Sequence, residues 1–223
     1  MNVMQLTWQV DLNNIALDCT VDVAIHPSDG KVVLLTIPGV DGSVDGFMNK
    51  YLLIAENINK KHGAAAVRMS NPYITSYHWE QNIRKILSYI DDNSKIISGR
   101  EDFELRIVGH SAGAAVIAQI AWEYPFISRL LLINPATKLG LARIKQGLVE
   151  FGAEKTMVLV GSEDPSLSDI ESLSETKGLE SLRTEIAEGA DHYFSGEAFQ
   201  IFLQAPSLYL FETEEQIPIK AII

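Results

Sequence analysis

Leu-Arg-Ile-Val-Gly-His-Ser-Ala-Gly, residues 105–113, is the stretch of this sequence that decides the fold. Its apolar first half predicts a strand that ends near Val108, and the small residues from Ala112 onward predict a helix. Between them lies a G-x-S-x-G pattern with Ser111 at its centre. A serine on a sharp turn between a strand and a helix is exposed above the sheet edge, where it can act as a nucleophile. The alternative, a tight turn without chemistry, stays open at this point.

The two glycines of this pattern have a steric explanation. A turn this tight holds Ser111 in a strained backbone conformation, and bulky side chains at Gly109 and Gly113 would clash. The serine also lies at the N-terminus of the following helix, where the helix dipole and free amides favour a developing negative charge. The pattern therefore predicts a nucleophile beside a site that stabilises an anion.

Apolar segments with strand periodicity alternate with segments of helical periodicity along most of the chain. This alternation predicts a mostly parallel sheet of the α/β class, with helices on both faces. No helix separates the first two predicted strands, so we expect them to be antiparallel at one edge of the sheet. The predicted strands cover 17–25, 31–37, 64–69, 103–108, 129–133, 156–160 and 182–187.

The chain has no repeat, low-complexity tract or linker, so we expect residues 1–223 to form a single domain. We assign no structure to the last stretch, 206–223. About twenty residues separate the strand that ends at Ile133 from the next strand, which is enough for a short helix over 141–148. We therefore expect no separate lid domain and an open pocket.

With this pattern the chain resembles the α/β-hydrolase superfamily over roughly residues 17–203, and in particular its dienelactone-hydrolase-like and esterase branches. The resemblance implies that an acid and then a histidine follow the serine, each after a strand. Asp164 follows the strand 156–160 in a Gly-x-x-Asp turn of the kind the family uses, so we favour it over Glu163. His192 follows the strand 182–187 and is the only histidine after His110.

The resemblance also implies a role for each residue of this set. Ser111 would be the nucleophile, His192 the general base and then the general acid, and Asp164 its acidic partner. Two structural alternatives remain: Asp164 could cap the following helix, and His192 could be an ordinary surface residue. We interpret the neighbouring Asp191 as part of the loop structure.

A serine hydrolase also needs donors for the oxyanion of its tetrahedral intermediate. The resemblance implies the backbone N–H of Ala112 and a second amide in the loop 38–43, which we assign to Val40. Many members of the family have His-Gly where this sequence has Pro38-Gly39. Pro-Gly versions occur in thioesterase-like members, which keeps a thioester substrate open.

Composition excludes several other classes of function. The formal net charge is -11, from 18 basic and 29 acidic residues, which argues against a nucleic-acid partner. Residues 150–197 hold 12 acidic and three basic side chains, either a solvated face or a field that disfavours anionic ligands. Cys19 is the single cysteine, so no intrachain disulfide can form. We see no signal peptide or apolar run of membrane-spanning length, and we expect a cytoplasmic protein without a membrane partner.

Neither metal-ligand spacing nor a nucleotide-binding glycine loop occurs in the sequence, so we expect no metal and no cofactor. The partner we expect is a small-molecule acyl substrate, and the sequence predicts no oligomeric state. The function we expect is hydrolysis of a carboxylic ester through an acyl-enzyme. Two alternatives remain: a thioesterase or an amide or peptide hydrolase on the same residues, and a non-catalytic binding protein on a hydrolase scaffold.

Overall fold

The computed structural model describes residues 3–12, 14–73 and 76–212 of the chain. In this part of the chain one eight-stranded sheet is the centre of the fold. Its strands are β1 (Val3–Leu12), β2 (Ile15–His26), β3 (Val32–Ile37), β4 (Ala65–Met69), β5 (Glu104–His110), β6 (Ile127–Ile133), β7 (Thr156–Gly161) and β8 (Arg183–Ala187). The spatial order is β1-β2-β4-β3-β5-β6-β7-β8, and all pairs from β4 to β8 are parallel.

Helices cover both faces of this sheet, as the alternating sequence pattern predicts. They are α1 (Lys50–His62), α2 (Ser76–Asp92), α3 (Ser94–Ser98), α4 (Ala112–Ile120), α5 (Leu141–Phe151), α6 (Leu167–Glu171) and α7 (Ala198–Pro206). The buried side chains of α1 and α7 pack on one face, and those of the other helices pack on the opposite face. A π-helical turn, Ser207–Phe211, follows α7, so 206–211 of the unassigned stretch is helical and 213–223 lies outside the described residues.

The apolar run of β3 shows why the sheet is buried on both sides. Val33, Leu35 and Ile37 pack into the cluster on one face, and Leu34 packs into the cluster on the other face. Side chains of a strand alternate between the two faces, so a strand without polar alternation fits only a doubly covered position. The continuous apolar pattern therefore places β3 in the interior of the sheet.

The antiparallel edge differs in detail from the prediction. β1 was not predicted, and it pairs along its whole length with β2. β2 in turn pairs antiparallel with β4, so β2 and β3 have opposite directions but are not neighbours. Strand pairing depends on contacts between residues far apart in sequence, which local periodicity does not contain.

The segment between β6 and β7 forms no lid domain. It contains α5, which packs closely on α4: a Cβ atom added at Gly147 would lie 2.2 Å from the carbonyl oxygen of Ala118. The buried side chains of α5 belong to the core cluster on the face that α4 covers. Among the described helices, none has the length and apolar character needed to cross a membrane.

Candidate active site

Ser111 lies on the turn that joins β5 to α4. Its backbone has φ 55° and ψ -121°, a combination that L-residues rarely adopt. A Cβ at Gly109 would lie 2.6 Å from Ala114 Cα, and one at Gly113 would lie 2.4 Å from the carbonyl oxygen of Pro38. These distances are too short for any side chain, which explains both glycines of the pattern.

Three of the residues singled out in the sequence are joined by hydrogen bonds at the carboxyl edge of the sheet. Ser111 Oγ lies 2.9 Å from His192 Nε2, and His192 Nδ1 lies 2.6 Å from Asp164 Oδ2. Because the carboxylate only accepts, Nδ1 carries the proton and Nε2 of the neutral ring is free to accept from the serine hydroxyl. Glu163, the alternative acid, is exposed.

Asp164 has two hydrogen-bonding groups besides the histidine. Its side chain is 1% exposed, and Oδ1 accepts hydrogen bonds from the backbone N–H and the hydroxyl of Ser166 at 2.8 and 2.5 Å. Burial raises the pKa of this carboxyl, but the hydrogen bonds from His192 and Ser166 outweigh it and hold the pKa below its usual value. The carboxylate is therefore ionised at neutral pH and orients the imidazole.

The loop that carries His192 is fixed from two sides. Asp191 Oδ1 accepts hydrogen bonds from the backbone N–H groups of Tyr193 and Ser195, at 3.0 and 2.8 Å. The carbonyl oxygen of His192 accepts from His110 Nε2 at 2.9 Å and from Asn134 Nδ2 at 3.1 Å. Asp191 thus stabilises the loop, and His110 and Asn134 connect that loop to the ends of β5 and β6.

Asn134 and His110 are both buried polar residues that the sequence patterns did not single out for the site. Asn134 is fully buried with φ 43°, and its Oδ1 also accepts from the backbone N–H of Gly161 at 2.8 Å. Burial and the nearby Lys50 charge lower the pKa of His110 to about 3, so this imidazole is neutral and donates through Nε2. The sequence did contain a signal for Asn134: it is a polar residue directly after β6, at the edge of the sheet where β5 and β7 also end.

The loop 38–43 packs directly against the serine. A Cβ added at Gly39 would lie 3.0 Å from Ser111 Cβ and 3.3 Å from Ser111 Oγ. Asn71 holds this loop, because its Nδ2 donates to the carbonyl oxygen of Pro38 at 3.1 Å and its backbone pairs with Gly42. A side chain at Gly39 would fill the space beside the nucleophile.

Of the two amides predicted as oxyanion donors, that of Val40 belongs to the lining of the pocket above Ser111, and that of Ala112 directly follows Ser111 in the chain. Ala112 is the first residue of α4, and Val40 follows Gly39 in the loop. Within the described part of the chain, neither amide donates a hydrogen bond to another backbone or side-chain group. The donor capacity of these two N–H groups is therefore not used within the described part of the chain.

A pocket of about 490 Å³ opens above Ser111, within the range that binds small molecules. Its exposed rim includes Val40, Phe47 and Tyr193, which are 46%, 65% and 62% exposed. Its wall also includes Lys50, which is only 4% exposed. Burial lowers the pKa of Lys50 to about 8, although the charge of Asp191 partly opposes this shift. The pocket thus combines an apolar rim with one buried cation.

The histidines outside the Ser111 pocket have other surroundings. His62 Nε2 lies 2.8 Å from the hydroxyl of Ser207 and its ring stacks on Phe211, while His78 is buried. No group of His, Cys, Asp and Glu side chains among residues 3–12, 14–73 and 76–212 could hold a metal ion.

Comparison of sequences identifies no close relative. No protein-family model matches the chain. The chain is 27% identical over 134 residues to the mitochondrial inner membrane m-AAA protease component YTA10 of Saccharomyces cerevisiae. This alignment covers 60% of the chain and spans only 15% of the length of that protein, so it carries no inference about function.

Comparison of structures gives a consistent result. Est1E from Butyrivibrio proteoclasticus has a TM-score of 0.67 at 14% identity, with 92% of this chain and 97% of that chain covered. Dienelactone hydrolase from Anabaena variabilis has a TM-score of 0.62 at 19% identity, with 93% and 97% covered. Carboxyl esterase 2 from the fungus Tuber melanosporum has a TM-score of 0.66 at 13% identity, with 95% and 87% covered. The chain therefore has the α/β-hydrolase fold.

Proposed function

We propose that this protein is a serine hydrolase that cleaves a carboxylic ester through an acyl-enzyme on Ser111. The observation that carries the proposal is the unbroken hydrogen-bond chain from Ser111 Oγ through His192 to the buried Asp164. The strained backbone of Ser111 supports it further, because strain of this kind persists where function requires it. The similar structures include a carboxyl esterase and a dienelactone hydrolase, which agrees with this class of reaction.

In the proposed first step, His192 Nε2 accepts the proton of Ser111 as Oγ attacks the carbonyl carbon of the ester. The carbonyl π electrons move to oxygen, and the amides of Ala112 and Val40 donate to this oxyanion. The intermediate then collapses, the bond to the alcohol oxygen breaks, and His192 returns the proton to that oxygen. Asp164 keeps the imidazole in the required tautomer and stabilises its charged form.

In the second step a water molecule replaces the alcohol. His192 accepts a proton from the water as its oxygen attacks the acyl carbon, and the same two amides stabilise the second oxyanion. Collapse of this intermediate breaks the bond to Ser111 Oγ, which takes the proton back from His192. The products are a carboxylic acid, an alcohol and the unchanged protein.

A substrate panel tests the class of bond. Rates would be measured on p-nitrophenyl esters, acyl thioesters and p-nitroanilides that share one acyl group. We expect kcat/KM on the oxygen ester to exceed that on the anilide by at least about a hundred-fold, since the alcohol is the better leaving group. Equal or faster hydrolysis of the thioester would assign a thioesterase instead, and no turnover of any member would favour a binding protein.

We also propose that the protein is cytoplasmic and acts on a small molecule. Cys19 is free and buried, which suits a reducing compartment. The acidic composition supports the absence of a nucleic-acid partner. Measured distribution between the soluble and membrane fractions of the cell, with and without detergent, tests the location.

A further inference from the structure

Lys50 is an unusual residue in the wall of the Ser111 pocket. It is the first residue of α1, and its side chain is buried although it borders the pocket. Among the described residues, the contacts of Lys50 Nζ are with aromatic rings, and no carboxylate, carbonyl or hydroxyl group accepts a hydrogen bond from it. Lysine is rarely buried unless it is paired, so this ammonium group lacks the partner that burial normally requires.

The contacts that Lys50 does make are with aromatic rings. Nζ lies 4.0 Å from the ring centre of Phe202 and 5.4 Å from that of Tyr51. Phe202 also contacts His110 edge-on, with 5.4 Å between ring centres, and His110 lies 5.4 Å from the ring of His192. Ring faces attract a cation but leave its three N–H donors without acceptors.

The nearby carboxylates are already engaged elsewhere. Asp191, whose charge acts on Lys50, accepts the two backbone hydrogen bonds of its own loop through Oδ1. Asp41, the carboxylate in the pocket lining, is exposed and accepts from the backbone N–H of Tyr73 at 2.8 Å. Neither of them forms an ion pair with Lys50.

We propose that Lys50 binds a carboxylate of the substrate, so that the pocket is selective for esters that carry a second, free carboxylate group. This proposal rests on the proposed ester hydrolysis at Ser111. Lys50 is the single lysine or arginine in the described lining of the pocket, and one ammonium group suits a singly charged carboxylate better than a phosphate group. The exposed Val40, Phe47 and Tyr193 of the rim contact the uncharged part of the ester.

The proposal differs from the expectation that the acidic segment 150–197 disfavours anionic ligands. Surface charges are screened over about 10 Å at ordinary salt concentration. A buried ammonium is screened much less, and it acts at hydrogen-bond distance on a ligand inside the pocket. The local cation therefore dominates over the net charge of the chain.

The test compares two pairs of matched substrates. In the first pair the acyl side differs: the p-nitrophenyl half-ester of glutaric acid, and the same compound with its free carboxylate capped as a methyl ester. In the second pair the alcohol side differs: the butyrate ester of meta-hydroxybenzoate, and that of its methyl ester. The measured quantity is the ratio of kcat/KM for the anionic member to that for the capped member.

We expect this ratio to fall by about ten-fold or more in Lys50→Met for at least one pair, because a charge-assisted hydrogen bond is lost. Lys50→Gln is measured in parallel, in case the methionine variant does not fold. Lys60→Met is the matched control, since it removes the same charge from the exposed end of the same helix and should keep the wild-type ratio. An unchanged ratio in a folded Lys50 variant, for both pairs, would overturn the proposal.

A binding measurement separates this proposal from the proposed function. Monomethyl glutarate would be titrated into Ser111→Ala and into the double variant Ser111→Ala/Lys50→Met by calorimetry. We expect affinity to fall about ten-fold or more in the double variant. If affinity falls in the double variant but the wild type turns over no ester, the carboxylate site at Lys50 is supported and the proposed hydrolase activity is refuted. If the wild type turns over esters but both variants bind monomethyl glutarate with equal affinity, the hydrolase activity is supported and the carboxylate site at Lys50 is refuted.

Discussion

Two loops meet above Ser111, and they are built in different ways. The histidine loop, 188–194, is fixed by buried polar groups: Asn134 and His110 both donate to one carbonyl oxygen of it. The pocket loop, 38–50, is anchored near Pro38 by the buried Asn71, but it exposes Phe47 and Met48 further along. The difference indicates that the first loop positions the catalytic histidine, whereas the exposed side chains of the second determine which ligand is bound, although the Val40 amide of that loop also serves the proposed oxyanion site. Substitutions should therefore affect kcat in the first loop and ligand preference in the second.

The largest effect is expected at the serine where both loops meet. Ser111→Ala removes the nucleophile, and we expect kcat/KM on a p-nitrophenyl ester to fall by at least about a thousand-fold. The pocket and fold should be unchanged, because alanine is smaller and the close contacts of the turn involve the flanking glycines. Steady-state kinetics with a circular-dichroism melt measures both. Activity within ten-fold of the wild type would contradict the role of this serine.

The next effect concerns the histidine loop. Asn134→Ala removes two donated hydrogen bonds to the loop and one accepted from Gly161. We expect kcat to fall about ten- to a hundred-fold, because His192 is no longer held in position. KM should change little, because the contacts of the substrate are not altered. The free energy of unfolding should fall by about 2 kcal/mol, since buried groups are left without partners.

Asn59→Ala is the matched control for this variant. Asn59 Nδ2 also donates to two backbone carbonyls, those of Pro27 and Ala64, away from the pocket. We expect a loss of stability of similar size with kcat within about two-fold of the wild type. A similar fall of kcat in both variants would mean that Asn134 acts through general stability alone.

The third effect is a pH dependence of stability that comes from His110, the last residue of β5, which donates to the same loop. The pKa of His110 is about 3 in the folded protein and near 6.5 when unperturbed, so the unfolded chain binds the extra proton between these values. The stabilising contribution is present above about pH 6.5 and is lost as the pH falls towards 3. The variant His110→Gln keeps a hydrogen-bond donor but does not titrate. It should reduce the slope of the unfolding free energy against pH by about 1.4 kcal/mol per pH unit.

Urea titrations between these pH values, on the wild type and His110→Gln, measure this slope. Other groups also titrate in this range, but they are common to both proteins. An identical slope in the two proteins would show that His110 is not held neutral by the fold.

The smallest effect is expected at the exposed rim of the pocket loop. Phe47→Ser removes apolar surface that a bound ester would cover, and we expect KM for aromatic esters to rise about two- to five-fold. kcat should change little, because the residue does not touch the reacting groups. Ile96→Ser, at a residue that is 77% exposed and outside the pocket lining, is the control. A larger fall in kcat than rise in KM would break the division between the two loops.

The sequence predicted the sheet because its signals are local. The continuous apolar run of β3, the turn around Ser111 and the polar turns after β7 and β8 each lie within a few residues. β1 was missed, although Met4, Leu6 and Trp8 alternate with polar residues, and the pairing of β2 with β4 depends on distant contacts. α3 was missed because its five residues make little more than one turn, which is too short for an apolar pattern to repeat at helical spacing.

The residues of the site divide in the same way. Ser111, Asp164 and His192 lie in recognisable turns in a fixed chain order, and the structure brings them within hydrogen-bond distance. Lys50 has no such signal: a lysine at the start of a helix is ordinarily exposed, and only the fold brings Phe202 beneath it. Burial of a polar residue is a property of the whole fold, which a short motif cannot show.

The most direct test of the central claim is covalent labelling of Ser111 in the native protein. A fluorophosphonate would be incubated with the wild type, Ser111→Ala and His192→Asn, and the intact masses and labelled peptides would be measured. We predict one adduct per chain, on Ser111, absent from Ser111→Ala and formed at least about a hundred-fold more slowly in His192→Asn. No adduct on the native wild type, or an equal adduct on Ser111→Ala, would contradict the account.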